Sequence, residues 1–242
     1  MLERRALLES PFARVAAVRC PGGPAWSPEE QVSGAALVLI RRGLFLRRAD
    51  GRAALADVTT GYRQRRGEAQ QIAHPAGGDV CTSIAVSDEL ADHFGPWLGV
   101  SPEADLAHRR LLAAHPADRA DLTADLIAEL LPVPAVVESP MIDEVRVLLH
   151  TDPGRDLTAL STAVGWSPWH LSRVFRRVTG STLNTYRRRL RVRAALDELP
   201  GPAELAAIAV RVGFADQAHM TRAVRTETGH TPAALRRALR RP

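Results

Sequence analysis

The chain has 242 residues, 45% of them hydrophobic, and 32 basic residues, all Arg, against 27 acidic ones, for a formal net charge of +5. That is material for two modest domains with real cores, while two cysteines exclude a disulfide scaffold and point to a reducing compartment. The charge is uneven: residues 140–242 hold 17 Arg against 9 acids, a net of +8, and residues 1–139 hold 15 against 18, a net of −3. A basic half beside an acidic one is the pattern of a nucleic-acid domain joined to a sensing or assembly domain. No apolar run approaches the ~20 residues of a membrane span, and Met-Leu-Glu-Arg-Arg at the N-terminus lacks a signal-peptide core, so the expectation is a cytoplasmic protein with no membrane partner.

In chain order, residues 10–100 read as β-rich. Short apolar runs recur at 12–18, 35–40, 44–46, 53–58, 70–73 and 80–86, separated by turn signals at 21–24, 42–43, 50–51, 60–61, 66–67 and 76–79. Such spacing predicts a small antiparallel barrel or sandwich. Asp50-Gly51 between apolar runs is the best hairpin signal. His74, before Pro75, stands alone among these strands with Asp79 and Cys81 nearby, and a lone His in a turn is more often hydrogen-bonded structure than a metal ligand. Cys81 reads as core packing; Cys20, beside a Pro-Gly-Gly turn, reads as an exposed thiol with nothing near it that lowers its pKa.

Residues 102–131 change to helix, as one segment over 103–115 and another over 117–131. The second puts Leu122, Leu126, Ile127, Leu130 and Leu131 on one stripe and Asp118, Asp121, Asp125 and Glu129 on the other face. The stripe can pack on the barrel of its own chain or pair with a second copy, and the two readings are compatible. Leu122, Leu126, Ile127 and Leu130 are the candidate dimerisation residues. Residues 132–140 form a proline-marked linker.

The C-terminal half repeats itself. Leu160-Ser-Thr-Ala-Val-Gly165-Trp-Ser-Pro-Trp-His-Leu171 is echoed by Ile208-Ala-Val-Arg-Val-Gly213-Phe-Ala-Asp-Gln-Ala-His-Met220, at an offset of 48 residues before the turn and 49 after it. Each copy reads as a short helix, a Gly, and a second helix, the grammar of a helix-turn-helix. Asp156, Ser167, Thr182 and Asp216 are the natural N-caps, and Pro168 a natural first helical residue. Leu171, Val174, Phe175 and Val178 share one face, with Met220, Ala223, Val224 and Glu227 at the matching places. A helix over 141–150 packs on the first copy through Ile142, Val145, Leu148 and Leu149. Between the copies a connecting helix over 182–199, with Tyr186, Leu190, Ala194 and Leu196 inward, would span about 27 Å against the ~34 Å turn of B-DNA.

Residues 140–242 resemble the DNA-binding domain of the AraC/XylS family of bacterial transcription regulators. The marks are Gly-x-Ser-x-x-x-Leu-Ser-Arg-x-Phe from Gly165, Gly-Phe-x-x-x-x-His-Met-x-Arg from Gly213, and Gly-His-Thr-Pro-Ala-Ala-Leu-Arg at 229–236. Val224 stands where the family pattern has Phe, which implies a thinner second core, and Leu183 where it often has Pro; neither threatens the fold. The resemblance implies an α+β chain: a cupin-like sensor and dimerisation domain over 1–131, the linker, and an all-α double helix-turn-helix over 141–242. It implies sequence-specific binding of double-stranded promoter DNA by two recognition helices in successive major-groove segments. It also implies a homodimer, a small-molecule effector and RNA polymerase as further candidate partners.

Carried over residue by residue, the candidate base contacts are Trp169, His170 and Arg173 in the first copy and Gln217, Ala218 and Arg222 in the second. Arg173 and Arg222 align, and an Arg there can donate a bidentate pair to guanine; a phosphate grip or an internal salt bridge is the competing reading of both. Trp169 suits a thymine methyl or a sugar, and Ala218 departs from the polar residues of some relatives. Arg176, Arg177, Arg187 and Arg225 are the candidate phosphate contacts, with solvated charge as the competing reading. A cupin-type enzyme fused to a DNA-binding domain is the alternative function, disfavoured because the clustered His-x-His of cupin metal enzymes is missing. A DNA-repair regulator with a reactive Cys is disfavoured by the spacing of Cys20 and Cys81. The expectation is no catalytic residue, no cofactor and no metal.

Overall fold

The computed structural model describes residues 2–11, 13–132 and 139–240. The chain divides into two compact units, Met1–Glu138 and Ser139–Pro242. The division falls inside the proline-marked segment, most of which, like Phe12, lies outside the described residues.

The first unit runs β1 (Glu3–Glu9), β2 (Arg14–Cys20), β3 (Glu30–Gln31), β4 (Ala36–Arg42), β5 (Leu44–Ala49), β6 (Arg52–Asp57), β7 (Thr60–Gln64), β8 (Ala69–Ala73) and β9 (Asp79–Ala85). Then come α1 (Asp88–Asp92), β10 (Trp97–Gly99), α2 (Pro102–Ala113), a 3-10 turn (Pro116–Asp118), α3 (Arg119–Ala128) and β11 (Leu131–Pro132). The strands form one antiparallel sheet in the order β1-β2-β9-β4-β7-β6-β5-β8-β3, with β10 on β7 and β11 on β10. β6 and β7 pair only at Asp57 and Thr60, so the sheet turns a corner there. Its two arms face each other: Phe45 of β5 meets Tyr62 of β7 edge-on, 5.7 Å between ring centroids. This is the expected small curled barrel. Asp50 and Gly51 both have positive φ, 49° and 76°, and close the β5–β6 hairpin as a two-residue primed turn.

Residues 60–61 are not the turn their composition suggests. Gly61 lies inside β7, where a Cβ would sit 2.5 Å from the Val38 carbonyl oxygen of β4. Its glycine serves close strand approach, and the turn lies one step earlier at Val58-Thr59. There Asp57 accepts from both the amide and the hydroxyl of Thr59, each at 2.7 Å.

A single core joins the sheet to the helices: Leu37 and Leu39 of β4, Ile84 of β9 and Leu98 of β10 pack with Leu111 of α2 and Leu126 of α3. This revises the proposed dimerisation stripe. Leu126 and Leu130 are buried in their own unit, at 0% and 4% exposure, so no second copy can reach them. Leu122 and Ile127 pack half-buried against the same core, and the face that α3 presents to solvent carries Asp121, Asp125 and Glu129. Among the described residues, no helix is long and apolar enough to cross a membrane.

The second unit is helical: α4 (Pro140–Thr151), α5 (Leu157–Ala163), α6 (Pro168–Thr179), α7 (Leu183–Glu198), α8 (Leu205–Arg211), α9 (Gln217–Thr228) and α10 (Pro232–Leu239). α7 packs against both α6 and α9 and is therefore the beam from which both hang. With 16 residues it is about 24 Å long, slightly shorter than the sequence suggests. Its inward residues include Tyr186, Leu190, Ala195 and Leu196; Ala194 faces solvent.

Candidate nucleic-acid interface

Each copy builds its second helix in the same way. In the first, Gly165 turns the chain at φ 67°, and the Ser167 hydroxyl accepts from the His170 amide at 3.2 Å to start α6. In the second, Gly213 turns at φ 85° and the Asp216 carboxylate accepts from the His219 amide at 2.6 Å to start α9. These side chains satisfy amides that the helix itself leaves unpaired. Both helices end on a left-handed glycine, Gly180 and Gly229. The aromatic after each turn glycine holds a histidine ring edge-on: Trp166 against His170 at 4.8 Å, and Phe214 against His219 at 5.2 Å.

The inner faces are buried as the spacing predicts: Leu171, Val174 and Phe175 in α6, Met220, Ala223 and Val224 in α9. The outer faces carry the predicted contact residues. Trp169, Arg173, Arg176 and Arg177 are exposed on α6, and Gln217, Ala218, Arg222 and Arg225 on α9. Arg176, Arg177, Arg222 and Arg225 form no ion pair among the described residues. Trp169 is 68% exposed, against the burial expected of a large aromatic, and the Arg173 guanidinium lies over its ring, 4.5 Å from the centroid. Stacking fixes the flat guanidinium and leaves its N–H edge free to donate. His170 is half-buried on Trp166, so it is the least free of the six candidate base contacts.

Arg187 does not sit as a phosphate contact should. It is half-buried and donates to the Arg155 carbonyl in the loop between α4 and α5. Burial, and then the neighbouring Arg191, pull its pKa below the usual guanidinium value. Arg191 likewise donates to the Pro153 carbonyl at 3.3 Å. The charge crowded on α7 is therefore partly spent on holding α7 to its neighbours. Glu227 completes that framework. It occupies the place of Val178 in the repeat, yet its carboxylate is buried between Arg188 at 3.1 Å and Arg189 at 3.5 Å, tying α9 to α7. The repeat marks the position as inward-facing; only the fold shows two arginines of α7 meeting it.

A helix-turn-helix domain family model matches residues 160–238, from α5 into α10. The probable transcription factor PqrA of Proteus vulgaris is 33% identical over 101 residues, which are 41% of this chain and 83% of PqrA. The transcriptional regulator GlxA of Rhizobium meliloti is 32% identical over 139 residues, 57% of this chain. The chain spans about a third of GlxA, 36% of its length. A solved structure of a probable AraC family transcriptional regulator from Rhodopseudomonas palustris matches over 42% of this chain and 99% of its own, at 22% identity and a TM-score of 0.40.

Proposed function

The chain belongs to the AraC/XylS family of bacterial transcription regulators, and we propose that it acts by setting α6 and α9 into successive major-groove segments of promoter DNA. The observation that carries this reading is the matched register of Arg173 and Arg222. Both are exposed on the outer face of a capped helix, each at its sixth residue, and both helices hang on α7. N-terminal residues of a recognition helix are the ones that reach base edges. In this reading Trp169, Arg173, Gln217 and Arg222 face bases, while Arg176, Arg177 and Arg225 grip phosphates and make binding strongly salt-dependent.

The first unit, in the same reading, is the sensing and assembly half of a cytoplasmic regulator without a catalytic step, with a small-molecule effector and RNA polymerase as further partners. Burial of Leu126 and Leu130 leaves Leu122 and Ile127 as the apolar edge of α3 on which a second copy could pack. Light scattering on the full chain tests this, and a monomeric mass rules the dimer out.

Selection of binding sites from random duplex DNA by the full chain tests the proposal. The expected product is a motif of two short halves about 10–10.5 base pairs apart, centre to centre. Enrichment of a single uninterrupted half, or of no motif, contradicts it.

A further inference from the structure

We propose that Cys20, His74 and Asp79 form a binding site for a borderline-soft divalent cation of the Zn2+ type, with the Cys20 sulfur, a His74 ring nitrogen and an Asp79 carboxylate oxygen as its ligands. The three lie 54 and 5 residues apart in sequence, a spacing that suggests no site. The sheet brings them together. Cys20 ends β2 directly opposite Asp79, the first residue of β9, and His74 enters from the β8–β9 turn. Their donor atoms all lie within 4.8 Å of one another.

The surroundings are built to hold this arrangement. His74 and Asp79 are buried, and His74 Nε2 lies 2.8 Å from Asp79 Oδ1. Asp79 Oδ2 is buried with no strong hydrogen-bond partner; the buried Cys81 thiol is a weak donor beside the same carboxylate, and native interiors seldom leave a carboxylate oxygen so poorly satisfied. Two glycines let the backbone close on the cluster. A Cβ at Gly22 would fall 2.3 Å from His74 Cγ, and one at Gly78 would fall 2.3 Å from the Cys20 carbonyl oxygen. The Phe45 ring closes another side of the imidazole, 5.6 Å away.

The His74–Asp79 hydrogen bond uses one carboxylate oxygen and does not engage the Cys20 sulfur. A dication uses all three groups. Thiolate, imidazole and carboxylate together are a Zn2+ donor set, bound at about 2.3, 2.0–2.1 and 2.0–2.2 Å. A tetrahedral ion at those lengths keeps its donors roughly 3.4–3.7 Å apart. The His74–Asp79 contact need only open slightly as the metal replaces its proton, and the sulfur need move inward by about an ångström or less. Cys20 is half-buried, which leaves an entry path and a fourth position for water.

This site is independent of the DNA-binding reading. Its test is titration of the chelator-treated full chain with Co2+ under a non-thiol reductant, followed by absorption. One equivalent per chain should produce a thiolate-to-cobalt charge-transfer band that Zn2+ then removes. Cys20→Ser should abolish the band and Cys81→Ala should keep it. His74→Gln and Asp79→Asn should each weaken binding by more than about tenfold, with circular dichroism unchanged. In the unsubstituted chain, Zn2+ should slow alkylation of Cys20 at least about tenfold, a readout that needs no variant to fold. A band that survives Cys20→Ser, or the absence of both band and protection, overturns the proposal.

Discussion

The two helix-turn-helix copies share caps, turn glycines and a buried apolar face, but they differ in what surrounds those features. The first has aromatic weight on both sides: Phe175 packs edge-on against Tyr186 of α7 at 5.4 Å, and Trp169 carries Arg173 on its outer face. The second has Val224 at the place of Phe175, Ala218 at the place of Trp169, and an Arg222 with no ring beneath it. It is tied to α7 instead by Glu227, held between Arg188 and Arg189. A shared backbone plan thus leaves the packing and the readout free to diverge. The first copy relies on rings and the second on an ion-pair clamp.

Core truncation should give the largest effect. Phe175→Ala should destabilise the second unit by about 3–5 kcal/mol, since a fully buried ring is lost and the helices around it cannot collapse completely. Val224→Ala should cost only about 2 kcal/mol, for the loss of two methyl groups. Denaturant unfolding followed by circular dichroism measures both. Equal losses would remove the contrast between an aromatic core and a thin one.

The outer faces come next. Arg173→Ala should weaken binding to the selected site by about 1–3 kcal/mol and Arg222→Ala by an amount near the lower end of that range, because only Arg173 is held in place by a ring. Trp169→Ala should therefore cost about 1 kcal/mol and narrow the gap between the two arginines. If Arg173→Ala is no worse with Trp169 present than without it, the stack contributes nothing to readout.

The smallest effects separate framework from grip. Arg187→Ala should lower stability by about 1 kcal/mol through the lost bond to the Arg155 carbonyl, while leaving the salt dependence of DNA binding unchanged. Arg176→Ala should do the reverse, reducing the slope of log affinity against log salt by about one. Glu227→Gln should cost about 1 kcal/mol or less, since Arg188 and Arg189 keep much of their contact with water. A reduced salt slope in Arg187→Ala would return that residue to the phosphate contacts.

The helical half was legible in the sequence because its signals are local. Caps, turn glycines and a 3.6-residue apolar period all act within a few residues of one another, and repetition supplied a second reading of each. The curled sheet was legible in outline only. Gly61 reads as a turn from its neighbours, yet its reason is the backbone of β4, more than twenty residues away in sequence. The repeat puts Glu227 on the inner face and the charge pattern puts Arg187 among the phosphate contacts, but the sequence names a partner for neither, and their partners lie 32 or more residues away. Leu126 and Leu130 show an apolar stripe but not which surface it meets. Cys20 and Asp79 become neighbours only through the register of β2 on β9.

The central claim is that each copy reads its own half of one site. The most direct measurement is the affinity of the unsubstituted chain, Arg173→Ala and Arg222→Ala for the intact site and for two versions with one half randomised. The account predicts that Arg173→Ala loses its cost when one particular half is randomised, and that Arg222→Ala loses its cost only when the other is. A cost that is the same on all three duplexes for both substitutions would mean that these arginines hold phosphates, and that the paired helices do not read sequence through them.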